Sequence, residues 1–254
     1  MKKKSFIIAA LVLMCVLMVG TKAYADTTTF SVPKVNLSVD NSTSPTDYVD
    51  NIKILILLTV LTLLPSIIIM TTCFTRIIVV FGFLKSALGT QNAPPSQVLV
   101  GLALFLTFFI MMPTYTQINN TAVQPYINNQ ISQTQAITTG EKPLKTFMLK
   151  QTYQKDLQLF LEEAKITKKI PNDQIPMHVI VPAFIISELK TAFIMGFLLY
   201  VPFMIIDFVV ASVLMSMGMF MVPPAMISLP FKLLLFVMVD GWYLIVKSLI
   251  ISFS

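Results

Sequence analysis

Apolar residues in this chain come in long unbroken runs, at Ile52–Thr72 (IKILILLTVLTLLPSIIIMTT), from Val98 to Met112 (VLVGLALFLTFFIMM), and over 182–217 and 225–251. A segment that is apolar all round predicts a helix buried on every side, and about 20 residues suffice to cross a bilayer core. The pattern therefore predicts an all-α membrane protein with about four hydrophobic helical segments, paired in hairpins. Pro65 predicts a kink in the first of them. Between the first two runs, CFTRIIVVFGFLKSAL keeps the apolar character but carries Arg76 and Lys85, which the positive-inside rule assigns to the cytoplasmic side. GTQNAPPSQ then breaks the helix with a glycine and paired prolines.

The pattern changes at 113–180, which is polar, with a Gln/Asn/Thr-rich first half and seven lysines against five acids. Within it, Leu144, Phe147, Met148, Leu157, Phe160, Leu161 and Ala164 recur at helical spacing in LKTFMLKQTYQKDLQLFLEEAKI. One continuous helical stretch with a single apolar stripe is expected there.

The amino terminus reads differently again. MKKK followed by SFIIAALVLMCVLMVG has the basic start and short apolar centre of a secretory signal, and Ala23-Tyr24-Ala25 offers a small-x-small cleavage site. The polar, turn-rich stretch that follows favours cleavage over an uncleaved anchor helix. The expected organisation is a signal peptide at 1–25, a polar extracytoplasmic segment at 26–51, a first hydrophobic hairpin at 52–112, an extracytoplasmic helical domain at 113–180, and a second hairpin at 181–254.

Composition agrees with a bilayer environment: 56% hydrophobic, 12% charged and a mean hydropathy of +0.80, outside the usual range for a soluble domain. Loss of residues 1–25 lowers the formal charge from +6 to +2, because four lysines and no acids go with them. No basic stripe with interleaved aromatics remains, which argues against nucleic acid as a partner. Cys15 leaves with the signal, so Cys73 stands alone, and a lone thiol in an apolar helix reads as packing.

Enzymatic chemistry needs a constellation, and none is visible: no GxSxG, P-loop, GxGxxG, HExxH or CxxC. The single histidine, His178, lies in loop-like IPMHVIVP without a second imidazole, and reads as a surface or cap residue. A non-enzyme with neither metal nor cofactor is expected.

The informative residues are charges inside apolar helices: Glu188, Lys190, Asp207, Lys232, Asp240 and Lys247. Such groups are costly in a membrane and mark pairing or transport. If the second hairpin turns near Phe220, Asp207 lies 13 residues before the turn and Lys232 lies 12 after it, at nearly the same depth. By the same ruler Glu188 and Lys247 differ by five residues, roughly 7 to 8 Å of helical rise, which long side chains can partly close. Two cross-hairpin ion pairs follow as an expectation, with Lys190 and Asp240 left without an obvious partner. The bland alternative is that each charge snorkels or faces water.

The tip of that hairpin reads MSMGMFMVPP, with no charge between Asp207 and Lys232. An uncharged turn should be buried in protein or line a cavity, because irregular backbone is not tolerated in lipid.

RIIVVFGFLKSALGTQNAPPSQVLVGLALFLTFFIMMP, FMLKQTYQKDLQLF, PAFIISELKTAFIMGF and DFVVASVLMSMGMFMVPPAMISLPFKLLLFVMVDGW together resemble the FliP family of flagellar type III export-gate subunits, which has a counterpart in virulence secretion. The resemblance covers nearly all of the chain beyond about residue 50. It implies a core subunit of the cell (inner) membrane and the flagellar basal body. Such subunits form a pentameric, helical ring with Q and R partner subunits and other export-apparatus proteins, through which unfolded flagellar substrates leave the cytoplasm. It also implies that helices which look transmembrane are partly drawn up above the bilayer plane, into protein and water.

The resemblance further implies that Met219, Phe220 and Met221, with Met217 one turn earlier, form a gasket at the channel constriction beside the hairpin-turn prolines Pro223 and Pro224. Methionine suits that role, since three rotatable bonds and a polarizable sulfur fill an irregular hole and then yield. A ring of apolar side chains also blocks ions by dewetting. Phe220 departs from an all-methionine triplet. Ordinary helix-packing methionines remain the alternative for the loop. For the whole chain the alternatives are an ion-coupled transporter in which Glu188, Asp207 and Asp240 relay protons, or a membrane scaffold without a conduit role.

Overall fold

The computed structural model describes residues 45–90, 93–166 and 171–253, with side chains from Ile52 onward. The signal-peptide reading and most of the 26–51 segment lie outside the described residues. The chain divides into two units, Met1–Lys53 and Ile54–Ser254. Of the first, only the opening turns of a helix are described.

Every described regular element is helical. Helix α1 (Pro45–Met70) contains Pro65, and no side chain over Ile52–Met70 is buried. The apolar run does not continue as one helix into the next segment. It stops where the Thr71 hydroxyl donates back to the Ile67 carbonyl at 2.9 Å, a local bond that competes with helix continuation. Helix α2 (Phe74–Leu88) starts afresh and buries Ile77, Val80, Phe81 and Leu84 along one face. Helix α3 (Ser96–Ile118) follows two prolines and runs through a π-helical turn, Asn119–Val123, into the short α4 (Gln124–Ile127).

Helix α5 (Gln133–Gln151) opens with a capping box, in which the Ser132 hydroxyl accepts from the Gln135 amide and the Gln135 side chain accepts from the Ser132 amide. The single amphipathic helix expected over 144–166 is two helices: α6 (Gln154–Glu163) is a separate element. The break falls at Thr152–Tyr153, where the Tyr153 amide leaves the helical ladder and donates to the Ser187 hydroxyl at 3.0 Å. Periodicity survives the break, because Leu144, Phe147, Met148, Leu157, Phe160 and Leu161 all pack against one cluster with Val179, Ile180 and Phe184.

The longest element, α7 (Met177–Ser216), has 40 residues, about 60 Å at 1.5 Å per residue. His178 sits in its first turn, exposed, rather than in a loop. The segment expected as one helix over 225–251 is two, α8 (Pro224–Met238) and α9 (Gly241–Ile251), bent by 62°. Asp240 adopts a left-handed φ of 50° at the bend, a conformation aspartate tolerates better than most residues. Gly241 next to it admits no side chain, since a Cβ would fall 2.2 Å from the Phe236 ring. Among the described residues, three helices are long and apolar enough to cross a membrane, or four if α8 and α9 count as one broken span.

The main core joins α2, α3, α7 and α9 through residues such as Ile77, Phe81, Ala103, Met111, Ala192 and Leu249. A smaller cluster of Leu84, Leu88, Phe203 and Phe236 ties α2 to the α7–α8 hairpin.

Candidate functional site

The hairpin tip is shaped by backbone chemistry before any side chain matters. Helix α7 closes with two bonds, from the Gly218 amide to the Met215 carbonyl at 3.0 Å and from the Met219 amide to the Leu214 carbonyl at 3.0 Å. This is a Schellman motif, and it requires a left-handed residue after the cap. Gly218 supplies it, with φ 78°. On the far side Pro223 caps α8 and Pro224 fills its first position, where a missing amide costs nothing. The chain is thus turned sharply at both ends of the loop.

The side chains between those two turns have almost nothing to touch. Met217 is 67%, Met219 41%, Phe220 79% and Met221 97% exposed. Together they form an exposed apolar patch on a turn whose backbone is fixed at both ends.

Below the loop, Asp207 of α7 meets α8. Lys232 Nζ donates to Asp207 Oδ2 at 2.6 Å, and the Ser228 hydroxyl donates to Asp207 Oδ1 at 2.6 Å. Ser228 and Lys232 are buried, whereas the Asp207 side chain is half-buried. Lys232 also lies at the end of α2, since a Cβ on its C-cap Gly89 would sit 3.8 Å from Nζ. The negative end of the helix dipole favours an ammonium there. Hairpin counting brought Asp207 and Lys232 to one level, but Ser228 and the α2 terminus carry no signal in the local sequence.

The second expected pair, Glu188 with Lys247, does not exist. Residue counting measures depth only while the helix returns straight, and the 62° bend at Asp240 takes α9 off that line. Lys247 instead lies over the Tyr243 ring at 5.6 Å. Glu188 is fully buried against Arg76, a residue that topology alone had made conspicuous. Arg76 Nε donates to Glu188 Oε2 at 2.8 Å and Nη2 to Glu188 Oε1. Its Nη1 donates to both the carbonyl and the hydroxyl of Ser252 at 3.0 Å, and Nη2 to Gln151 Oε1 at 3.1 Å. All five guanidinium donors are thereby used. The guanidinium also stacks 3.8 Å from the Phe253 ring centroid. One cation ties together α2, the end of α5, α7 and the segment after α9.

At the residue preceding Glu188, the Ser187 hydroxyl donates to Asp156 Oδ2 at 2.7 Å while accepting from the Tyr153 amide, which docks the α5–α6 break on α7. Lys190 lies 4.5 Å from the Tyr153 ring, a cation–π contact in place of an ion pair. Asp240 is exposed and shapes the bend through its backbone. Cys73 is buried, and burial pushes its thiol up to about 12, so it stays protonated and inert. Among the described residues no group of three or more His, Cys, Asp or Glu is placed to hold a metal ion.

The FliP family model matches residues 57–249, from α1 through α9. The chain belongs to the FliP family. The three relatives that follow each match 85–88% of it. The flagellar biosynthetic protein FliP of Bacillus subtilis (strain 168) is 57% identical over 217 residues, 85% of this chain and 98% of its own. The protein of the same name from Aquifex aeolicus is 52% identical, covering 88% of this chain and 92% of its own. That from Caulobacter vibrioides is 49% identical, covering 87% and 82%. The apolar helices and the all-helical fold are those of a membrane protein of this family.

Proposed function

We propose that this chain is a core subunit of the flagellar type III protein export gate, and that the Met217–Met221 loop is the seal of its conduit. The relatives named above are flagellar biosynthetic proteins, and that membership favours an export component over an ion-coupled transporter. Two of the three acids that a proton relay would use are committed elsewhere, Glu188 to Arg76 and Asp207 to Lys232 and Ser228, while Asp240 stands exposed at the α8–α9 bend.

The observation that carries the reading is the contrast at the hairpin tip. Three methionines and a phenylalanine stand exposed on a turn held by a Schellman cap and two prolines, above a half-buried ion pair. Rigid support with unpartnered tips suits a ring in which several copies present the same loop to a common axis. In this reading the gate is a homo-oligomer, a pentamer, in the inner membrane at the basal body. It joins Q and R partner subunits and admits unfolded flagellar substrates, and residues 113–180 lie outside the cytoplasm.

The test replaces Met219, Phe220 and Met221 together by alanine, co-expresses the variant with its partner subunits, and measures ion leak against the unaltered complex. Leak through an assembled variant complex is expected. Equal tightness with intact assembly would make the loop ordinary packing and overturn the proposal.

A further inference from the structure

Helix α9 is pinned at its two ends and loosely packed between them. At its start Gly241 lies against the Phe236 ring, and the Trp242 ring is met edge-on by Phe236 at 5.5 Å and by Phe81 at 6.5 Å. After its last turn, the Ser252 carbonyl and hydroxyl each accept from Arg76 Nη1 at 3.0 Å, and the Phe253 carbonyl accepts from Gln151 Nε2 at 3.3 Å. The buried Phe253 ring lies 3.8 Å from the Arg76 guanidinium and stacks on Phe147 at 6.3 Å. Between these ends Leu249 is the one fully buried side chain. A cavity of 650 Å³ towards α3 and another of 360 Å³ towards α2 and α7 flank the helix, and every α9 residue except Gly241 and Leu249 lines one or the other. Few buried contacts mark an element that can open locally.

The latch at the far end is made of neutral groups. Glu188 already balances Arg76, and Ser252 and Phe253 contribute only acceptors and a ring. Their withdrawal strands no buried ion, so this contact can open where the Arg76–Glu188 pair cannot.

The bend that the latch holds is locally unfavourable. Asp240 sits at φ 50°, a region that any residue with a Cβ enters at a cost. The Gly241, Trp242 and Tyr243 amides precede the first ladder bond of α9, from the Leu244 amide to the Asp240 carbonyl at 3.1 Å. In one continuous helix they would donate to the Val237, Met238 and Val239 carbonyls. Length points the same way. At 15 and 11 residues, α8 and α9 measure about 22 and 16 Å, each short of a ~30 Å bilayer core, whereas 224–251 as one helix reaches about 42 Å.

We infer that α8 and α9 form a two-position arm: bent by 62° while Ser252 and Phe253 are latched on Arg76 and Gln151, and a single bilayer-spanning helix over 224–251 once they let go. A strained hinge, a neutral latch and a loosely packed arm are the parts of a bistable element.

The arm does not depend on the seal at the hairpin tip, so it is tested on the full chain in lipid nanodiscs, by hydrogen exchange read with mass spectrometry. Deleting residues 252–254 is expected to slow exchange at Gly241, Trp242 and Tyr243 about tenfold, the factor by which a left-handed residue is disfavoured, while exchange over 245–250 stays unchanged. Phe253→Ala, which leaves the Ser252 acceptors in place, should slow the same amides by less. Adding Asp240→Gly to the deletion should return them to fast exchange, since glycine takes a positive φ without strain and weakens a helix interior. Three results would each overturn the inference: unchanged exchange at 241–243 in both latch variants, slow exchange that Asp240→Gly leaves intact, or faster exchange throughout 244–251, the mark of a helix that unravels instead of straightening.

Discussion

Arg76→Ala should be among the most damaging single substitutions in this chain. Glu188 is 0% exposed, and both of its carboxylate oxygens take their hydrogen bonds from Arg76. Removing the guanidinium strands that carboxylate, and it also frees the Gln151 and Ser252 acceptors and leaves a void beside Phe253. Breaking a buried pair by deleting one partner costs about 3–5 kcal/mol. Against a typical folding stability of roughly 5–15 kcal/mol, that is enough to unfold a substantial fraction of molecules. Arg76→Lys should recover only part of the loss, because an ammonium has three donors and no planar fork to match the five acceptors. Replacing both partners with Met should cost less than Arg76→Ala alone, since no uncompensated charge remains. The assay is a double-mutant cycle on the purified chain, with unfolding followed by loss of helical circular dichroism. A loss under about 1 kcal/mol for Arg76→Ala, or a double variant no better than the single one, would refute the reasoning.

Three further outcomes follow from the same geometry. Asp207→Lys should prevent assembly, and adding Lys232→Asp should rescue it incompletely. The reversed carboxylate at position 232 would face the negative end of α2, a penalty of about 0.3–1 kcal/mol; full rescue, read by co-purification with partner subunits, would discount the α2 contact. Gly218→Ala meets no atom within 4 Å but must hold φ 78°, so it should destabilise the hairpin tip by roughly 1–2 kcal/mol; thermal unfolding unchanged from wild type would show that the Schellman turn is dispensable. Burial raises the Cys73 thiol from 9.0 to about 12, so above pH 9.0 the unfolded chain loses a proton that the folded chain keeps. Stability should therefore fall with rising pH in that window, and Cys73→Ala should flatten the slope in a denaturation series.

Much of the architecture was legible along the chain because bilayer-length apolar runs have few other uses. Three such helices among the described residues, or four with the bent α8–α9 pair, and an uncharged tip at 215–224 are properties of composition over 10 to 40 residues, and local sequence contains them. The depth match of Asp207 and Lys232 was legible for a related reason: both lie within 13 residues of the turn, where two helices remain a straight ruler.

What the tertiary structure alone decided lies beyond that range. Arg76 and Glu188 are 112 positions apart, and Arg76 reaches Ser252 across 176. No periodicity relates residues at such separations, because their meeting depends on how four elements pack together. The ruler failed for Glu188 and Lys247 because one left-handed residue, Asp240, turns the returning helix by 62°. The amphipathic stripe over 144–164 concealed the break at Tyr153 because the same apolar face is buried on both sides of it, and Ser187 on a distant helix supplies the bond that the helical ladder gives up. Hydrophobic pattern determined which segments are helical and which leave water; the burial of charge, which needs all its partners at once, was settled only when those helices packed.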